Sequence, residues 1–331
     1  MKKIRATITA IGKYTPERIL NNFDLEKMVD TSDEWIRSRT GIFERHIAAK
    51  GEASSDMASS AFRDMQKRFN VDPKEIDAIV VATITPDMFF PSTAALIQHN
   101  IGAVNAWGFD ISAACSGFIY AMVIATQFVE SGRYKKVLVA GSDTMSTITD
   151  YSNRDTCILF GDAASVVLVE PSEDDEHGVI DYLTKMDGSG KDFLYMAGGG
   201  SRNPASHDTI DKGMHYIYQE GRSVFKFAVS KMAEISLEVL ERNSLTSADV
   251  GLFIPHQANK RIIDSCVNRL KLDEKQVMIN IEKYANTTAA TIPLGIVDSY
   301  DQGRLKKGDL LLISAFGGGF TWGSMLMRWS L

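Results

Sequence analysis

Short apolar, β-branched runs that alternate with segments of helical period predict an α/β fold with a mostly parallel sheet covered on both faces. An internal echo predicts that this pattern occurs twice. Gly132-Arg133-Tyr134-Lys135-Lys136 precedes one apolar run, and Gly303-Arg304-Leu305-Lys306-Lys307 precedes another 171 residues later. At a nearby offset, Ile76-Asp77 before Ala78 recurs as Asp249 before Gly251. The 331 residues also amount to about two domains. Two halves follow, residues 1–172 and 173–331, joined near the acidic stretch Pro171-Ser-Glu-Asp-Asp-Glu176, which reads as a solvated connection.

The elements follow in chain order. The N-terminal stretch Met1 to Pro16 has a basic start, but Gly12, Lys13 and Pro16 interrupt it before a signal-peptide length is reached, so it reads as a first strand. Met57, Ala61, Met65 and Phe69 share one face of a helix, and Ala78–Thr83 is a strand. Phe118–Val129 is apolar on nearly every side yet too short for a membrane span, which predicts a helix buried within the protein. Val137–Ala140 and Ser165–Val169 complete the strands of the first half. In the second, Phe225, Ala228, Met232, Ile235 and Val239 mark a helix, and Gly251–Ile254, Leu310–Ile313 and Ser324–Met327 mark strands.

Composition narrows the function. Lys plus Arg number 36 against 42 Asp plus Glu, a net charge of −6, so a binder of nucleic-acid backbone is not expected. The three cysteines, Cys115, Cys157 and Cys266, form neither a disulfide framework nor a CxxC pair. A reducing, cytoplasmic setting without membrane attachment is the expectation.

Cys115 lies in Asp110-Ile-Ser-Ala-Ala-Cys-Ser-Gly-Phe118, after a strand-like run and directly before the buried helix. A helix starting at Cys115 would aim free N–H groups and its dipole at the sulfur and favour the thiolate. Cys157 and Cys266 read as small hydrophobes in apolar surroundings. His256, in Phe253-Ile-Pro-His-Gln-Ala-Asn259, stands where a strand gives way to a helix, the edge at which open α/β sheets place their sites. Asn286 opens a small-residue helix and is 171 residues from Cys115, so the internal symmetry relates the two. Phe316-Gly-Gly-Gly319 allows close backbone approach to a small anionic group.

Together with Thr31-Ser-Asp-Glu-Trp-Ile-Arg-Ser-Arg-Thr-Gly41, Phe160-Gly-Asp162, Asn286-Thr-Thr-Ala-Ala-Thr-Ile-Pro293 and Ala315-Phe-Gly-Gly-Gly-Phe-Thr-Trp-Gly323, these segments resemble the β-ketoacyl-acyl-carrier-protein synthase III family over essentially the whole chain. The resemblance implies a duplicated thiolase-like fold, layered α-β-α-β-α with two mostly parallel sheets. It implies a decarboxylating condensation of an acyl-coenzyme A (CoA) starter with malonyl-acyl carrier protein, which initiates fatty-acid synthesis through an acyl-cysteine, with no cofactor or metal. In that reading Cys115, His256 and Asn286 are catalytic, and the N–H groups of Cys115 and Gly318 form an oxyanion hole. Thr31, Trp35, Arg39, Arg154, Gly221, Phe225, Ala258, Asn259 and Phe316 would hold CoA and its pantetheine arm. Phe90 would close the acyl pocket of a partner subunit in a homodimer. Lys226, Lys260, Arg261, Arg269 and Lys271 form a basic stretch suited to docking the acidic carrier protein. The sequence departs from the family pattern at Ala285, where glycine is usual, at Gln219, where methionine is usual, and at Asp155, where glycine is common. Two rival readings share the same residues: a thiolase-fold condensing enzyme of secondary metabolism, and a Cys-His-Asn acyl hydrolase.

Overall fold

The computed structural model describes residues 4–331. The basic start at residues 1–3 of the expected first strand lies outside them, and the strand itself, β1, runs over Ala6–Tyr14. Four more strands complete the first sheet: β2 (Ala78–Ala82), β3 (Trp107–Ile111), β4 (Val137–Asp143) and β5 (Ala163–Pro171). Their order is β1-β5-β4-β2-β3. The second sheet contains β6 (Gly178–Met186), β7 (Leu252–Pro255), β8 (Leu310–Gly317) and β9 (Thr321–Arg328), in the order β7-β8-β9-β6.

Both sheets are mixed, which corrects the expectation of mostly parallel sheets. β2 pairs in parallel with β3 and β4, and β7 with β8. The remaining neighbours are antiparallel: β1 with β5, β4 with β5, β8 with β9, and β9 with β6. The physical reason is visible in the second half, where β8 and β9 are joined by the short turn Gly318-Gly319-Phe320, too short for a parallel crossover.

Reading each sheet from its N-terminal strand gives the same path. β1, β5, β4 and β2 match β6, β9, β8 and β7 in order and direction, while β3 has no counterpart and forms an edge. The duplication expected from the sequence is therefore a property of the topology. β6 was missed at the sequence level because beyond Val179 its side chains are only half-buried or exposed, so no apolar run marks it.

Three helical layers enclose the sheets. Helix α3 (Gly117–Glu130) and helix α6 (Thr291–Asp301) form the middle layer. One core unites Phe118, Ile119 and Met122 of α3 and Ile292 and Ile296 of α6 with Val80, Val139 and Val167 of one sheet and Ile254, Leu311 and Met325 of the other. The residues between these on the strands point the opposite way. Ile79, Val81 and Leu138 pack on Met57, Ala61 and Met65 of α2 (Ser54–Arg68), while Phe253, Leu312 and Leu326 pack under α4 (Gly221–Arg242) and α5 (Lys260–Leu270). Two buried faces explain why these strands read as continuous apolar runs. The helix expected to include Phe69 stops at Arg68, because Phe69 turns to extended backbone.

The halves meet backbone to backbone. A Cβ placed on Gly141 of β4 would lie 2.4 Å from the carbonyl oxygen of Ala289, in the three-residue turn Thr288–Ala290 that leads into α6. A similar turn, Ala114–Ser116, leads into α3. The two helices close alike, with Gly132 and Gly303 in left-handed backbone at φ 72° and 66°. Among the described residues no helix is long and apolar enough to cross a membrane.

Candidate active site

Cys115 occupies the middle of the turn Ala114–Ser116, so α3 begins two residues later than the sequence reading placed it. Ala114 is left-handed at φ 46°, which makes a sharp corner between β3 and α3. The corner is fixed from the second half: the Thr321 hydroxyl donates to the Ala113 carbonyl and the Ser116 hydroxyl donates to the Thr321 carbonyl, both at 2.9 Å. Gly317 makes this crossing feasible, since a Cβ there would stand 2.7 Å from the Cys115 backbone nitrogen.

Asn286 is positioned by the Phe160-Gly-Asp162 motif of the other half. Its backbone N–H donates to Leu159 at 2.9 Å, and its carbonyl accepts from Gly161 at 3.1 Å. Gly161 cannot carry a side chain, because its Cβ would fall 2.5 Å from the Tyr284 carbonyl oxygen. Asp162 braces the wall beside it by accepting from Ala48 N–H and from the backbone and hydroxyl of Ser146. The Asn286 side chain has its ends assigned. Oδ1 accepts the Thr288 N–H at 2.9 Å, which leaves the amide N–H₂ free to favour the ionised form of the Cys115 sulfur. Thr288 reaches this position through a left-handed φ of 52°, unusual for a β-branched residue. Ala285 just before has φ 56° and ψ −155°, a region that only glycine enters freely, which accounts for the usual glycine of the resembled family.

His256 follows the last residue of β7, and its N–H extends the pairing to β8 by donating to Ser314 at 2.8 Å. The imidazole is 1% exposed. Its Nδ1 is 2.7 Å from the Thr291 hydroxyl, and Nε2 has no hydrogen-bond partner among the described residues.

Cys115, His256 and Asn286 line a single cleft of about 780 Å³. Trp35, Arg39, Gly221, Phe225, Ala258, Asn259, Phe316 and Gly318 line it as well. Thr31 and Arg154 do not; Arg154 instead lays its guanidinium over the Trp35 ring, 4.1 Å from the centroid. Asn259 spends both ends of its amide on structure, Oδ1 capping α5 through Arg261 N–H and Nδ2 donating to the Arg39 carbonyl. Phe90 is 85% exposed and outside its own chain's cleft. In the basic stretch, Arg261 lines the cleft and stacks on Phe225, while Lys260 pairs with Asp264 and Arg269 with Glu234. The local positive charge is thus smaller than the count of basic residues suggests.

The sequence reading missed an apolar chamber around Cys115. Met145, Phe160 and Ile217 form one cluster with Ile84, Ile148, Leu159 and Leu194, and all seven line the cleft. These residues come from five separate segments and carry no motif apart from Phe160. Gln219 also lines the cleft, beside Leu194 and Ile217, and Asp155 lines it near Arg39 and Trp35.

Burial works against the expected thiolate. Burial pushes the Cys115 thiol up to about 12, and the nearby Asp143 carboxylate pushes the same way. Its own backbone N–H and the Asn286 amide act in the opposite direction but lose. Burial likewise holds His256 neutral, down to about 3. Asp143, wholly buried at the end of β4, is itself raised to about 6 by burial, while Ile84 N–H, Ala289 N–H and the Thr85 and Thr83 hydroxyls stabilise its ionised form.

Comparison with known proteins adds the following. The family described as 3-oxoacyl-[acyl-carrier-protein (ACP)] synthase III matches residues 109–188, and its C-terminal counterpart matches residues 240–329. The chain is 56% identical over 327 residues to a β-ketoacyl-[acyl-carrier-protein] synthase III of Koribacter versatilis, covering 98% of each. It is 56% identical over 328 residues to that of Solibacter usitatus, covering 98% of this chain and 99% of the relative. Among solved structures it superposes on the 3-oxoacyl-[acyl-carrier-protein] synthase III of Aquifex aeolicus with a TM-score of 0.90 at 44% identity, covering 98% and 100% of the two chains. It superposes on the priming β-ketosynthase of the R1128 polyketide pathway with a TM-score of 0.91 at 34% identity, covering 100% and 98%.

Two consequences are measurable. Ala285→Gly relieves the strained backbone, worth roughly 1–3 kcal/mol, against a smaller entropic cost in the unfolded chain; denaturant titration should show a gain of about 1 kcal/mol. Asp143→Asn removes a charge that is ionised wherever the thiol titrates, so the midpoint of Cys115 alkylation by iodoacetamide should move to lower pH. An unchanged or higher midpoint would exclude Asp143 as the cause.

Proposed function

The chain belongs to the 3-oxoacyl-[acyl-carrier-protein] synthase III family, and we propose that Cys115, His256 and Asn286 carry its chemistry. As a member it is a condensing enzyme: an acyl-CoA starter is joined to malonyl-acyl carrier protein with loss of CO2, giving a 3-oxoacyl carrier protein. The observation that supports this assignment of residues is that the Cys115 sulfur, the Asn286 amide that favours its ionised form and the unpartnered Nε2 of His256 line one cleft.

In the first half-reaction the Cys115 sulfur attacks the thioester carbonyl. Because burial keeps the thiol protonated, its proton leaves as the S–C bond forms and ends on the departing CoA sulfur. The N–H groups of Cys115 and Gly318 face the developing oxyanion, and donors of this kind are worth about 3–4 kcal/mol each. The acyl chain enters the chamber of Met145, Phe160, Ile217 and their neighbours, an apolar surface that gains by its burial. Arg39, Arg222 and Arg261 at the cleft suit the phosphates of CoA. The Trp35 ring and the Arg154 guanidinium, in contact at 4.1 Å, offer flat, cationic surfaces on which the nucleotide base of CoA would stack.

In the second half-reaction malonyl thioester loses CO2, and the electron pair of the broken C–C bond moves into an enolate. Asn286 Nδ2 and His256 Nε2 converge as hydrogen-bond donors on its oxygen. Both are neutral, so neither quenches the carbanion with an acidic proton. The enolate carbon then attacks the acyl-Cys115 carbonyl, and the sulfur leaves and regains a proton.

The assembly proposed is a homodimer. β3 ends its sheet with an unpaired edge, Trp107 on it is 44% exposed, and Phe89 and Phe90 are 82% and 85% exposed. Such edges and patches are ordinarily covered. Phe90 would then reach the partner's acyl chamber, and the carrier protein would dock over Lys226, Arg261, Lys271 and the paired Lys260 and Arg269.

Mass spectrometry after acyl-CoA treatment should find the acyl group on Cys115 alone. His256→Ala and Asn286→Ala should keep acylation within about tenfold yet lose about 10²–10³ in malonyl decarboxylation, the cost of an oxyanion donor. Label on Cys266, or normal condensation by Asn286→Ala, would refute the assignment. Phe90→Ala should lengthen the accepted starter in a sedimentation-verified dimer; an unchanged chain-length profile would remove Phe90 from the acyl pocket.

A further inference from the structure

The second half-reaction requires a proton on Nε2 of His256, and a neutral imidazole has only one to place. The nitrogen that carries it is decided by what the other nitrogen meets. Here Nδ1 meets a single group, the Thr291 hydroxyl at 2.7 Å. Thr291 is the first residue of α6, 2% exposed, and its hydroxyl is also 3.2 Å from the Thr288 carbonyl oxygen. One hydroxyl proton therefore faces two acceptors.

If the proton went to Thr288, Nδ1 would have to be the N–H, and Nε2 would present a bare lone pair to the cleft. If it goes to Nδ1, Nε2 carries the hydrogen. The bond to Nδ1 is the shorter by half an ångström, near the optimum for an O–H donor, whereas that to Thr288 is at the long end. The second option also leaves the unpartnered Nε2 as a donor beside the Asn286 amide, where an enolate oxygen would satisfy both.

We propose that Thr291 is a positioning residue for the condensation: its hydroxyl donates to Nδ1 of His256 and so fixes the ring proton on Nε2. The proposal rests on the assignment of His256 as an enolate donor. It gives the Thr287–Thr291 segment two tasks at once. Thr288 N–H holds Asn286 Oδ1 so that the amide N–H₂ faces the sulfur, and Thr291 holds Nδ1 so that Nε2–H faces the same space. Both donors of the second half-reaction are thus oriented from one short segment, with the Thr291 proton spent on Nδ1 rather than on the more distant Thr288 carbonyl.

The test uses the full-length enzyme labelled with ¹⁵N-histidine, with His256→Gln identifying the His256 signals. The wild-type ring should show a non-protonated Nδ1 and a protonated Nε2; the reverse pattern overturns the proposal without any variant. Thr291→Val keeps the shape and deletes the hydroxyl. It should lower malonyl decarboxylation by about 10- to 100-fold, less than outright loss of a donor, while Cys115 acylation changes by less than about threefold. Thr291→Ser should restore both the rate and the ¹⁵N pattern. Full decarboxylation by a folded Thr291→Val would overturn the inference while His256→Ala remains defective. Normal decarboxylation by His256→Ala would instead refute the assignment beneath it.

Discussion

The site depends on the backbone contact between the two halves. At three places a glycine lets one half touch the main chain of the other or of a distant segment: Gly317 over Cys115 N, Gly141 against Ala289 O, and Gly161 against Tyr284 O. Side chains at these positions would force the segments apart by several tenths of an ångström or more, since real Cβ atoms do not approach so closely. The sulfur comes from the first half and the donors from the second. Hydrogen-bond geometry between them tolerates only a few tenths of an ångström, so the close seam is a requirement of the chemistry as well as of packing.

That seam also determines the charge state of the site. Burial removes water from Cys115, His256 and Asp143 together, and it acts on each in the direction that opposes its ionised form. Burial therefore works against a preformed thiolate–imidazolium pair. Neutral groups with assigned hydrogen bonds remain, and these suit a reaction in which charge appears only transiently on a carbonyl oxygen. The helix dipole at Cys115, which looked decisive in the sequence, is outweighed because α3 begins only at Gly117 and the sulfur-bearing residue is buried.

Much of this was legible in the sequence. Strands buried on both faces announce themselves as apolar runs, and the paired Gly-Arg-x-Lys-Lys segments mark the ends of equivalent helices, as Gly132 and Gly303 show. Cys115, His256 and Asn286 could be found because each stands where a strand or loop passes into a helix. What escaped detection lacked a local signal. β6 is too exposed to show a pattern, the apolar chamber draws single residues from distant segments, and the charge of the basic stretch is reduced by Asp264, one turn along α5 from Lys260, and by Glu234, whose pairing with Arg269 becomes visible only once α4 and α5 are packed.

The duplication is less symmetric at the site than at the periphery, and the difference has a function. α3 and α6 end 171 residues apart at Glu130 and Asp301, but they begin 174 apart at Gly117 and Thr291. The position symmetric to Cys115 by sequence offset is therefore not symmetric in its helix: Cys115 precedes its helix by two residues and Asn286 by five. Those three residues lengthen the approach to α6, and within it lie Thr287 and Thr288, the latter holding the Asn286 amide through its N–H. With a strict copy, Asn286 would occupy the corner next to its helix as Cys115 does, with no room for the Thr288 contact. In the proposed roles, the slip in the repeat leaves Cys115 at the corner of its helix and gives Asn286 the Thr288 contact that orients its amide as a donor.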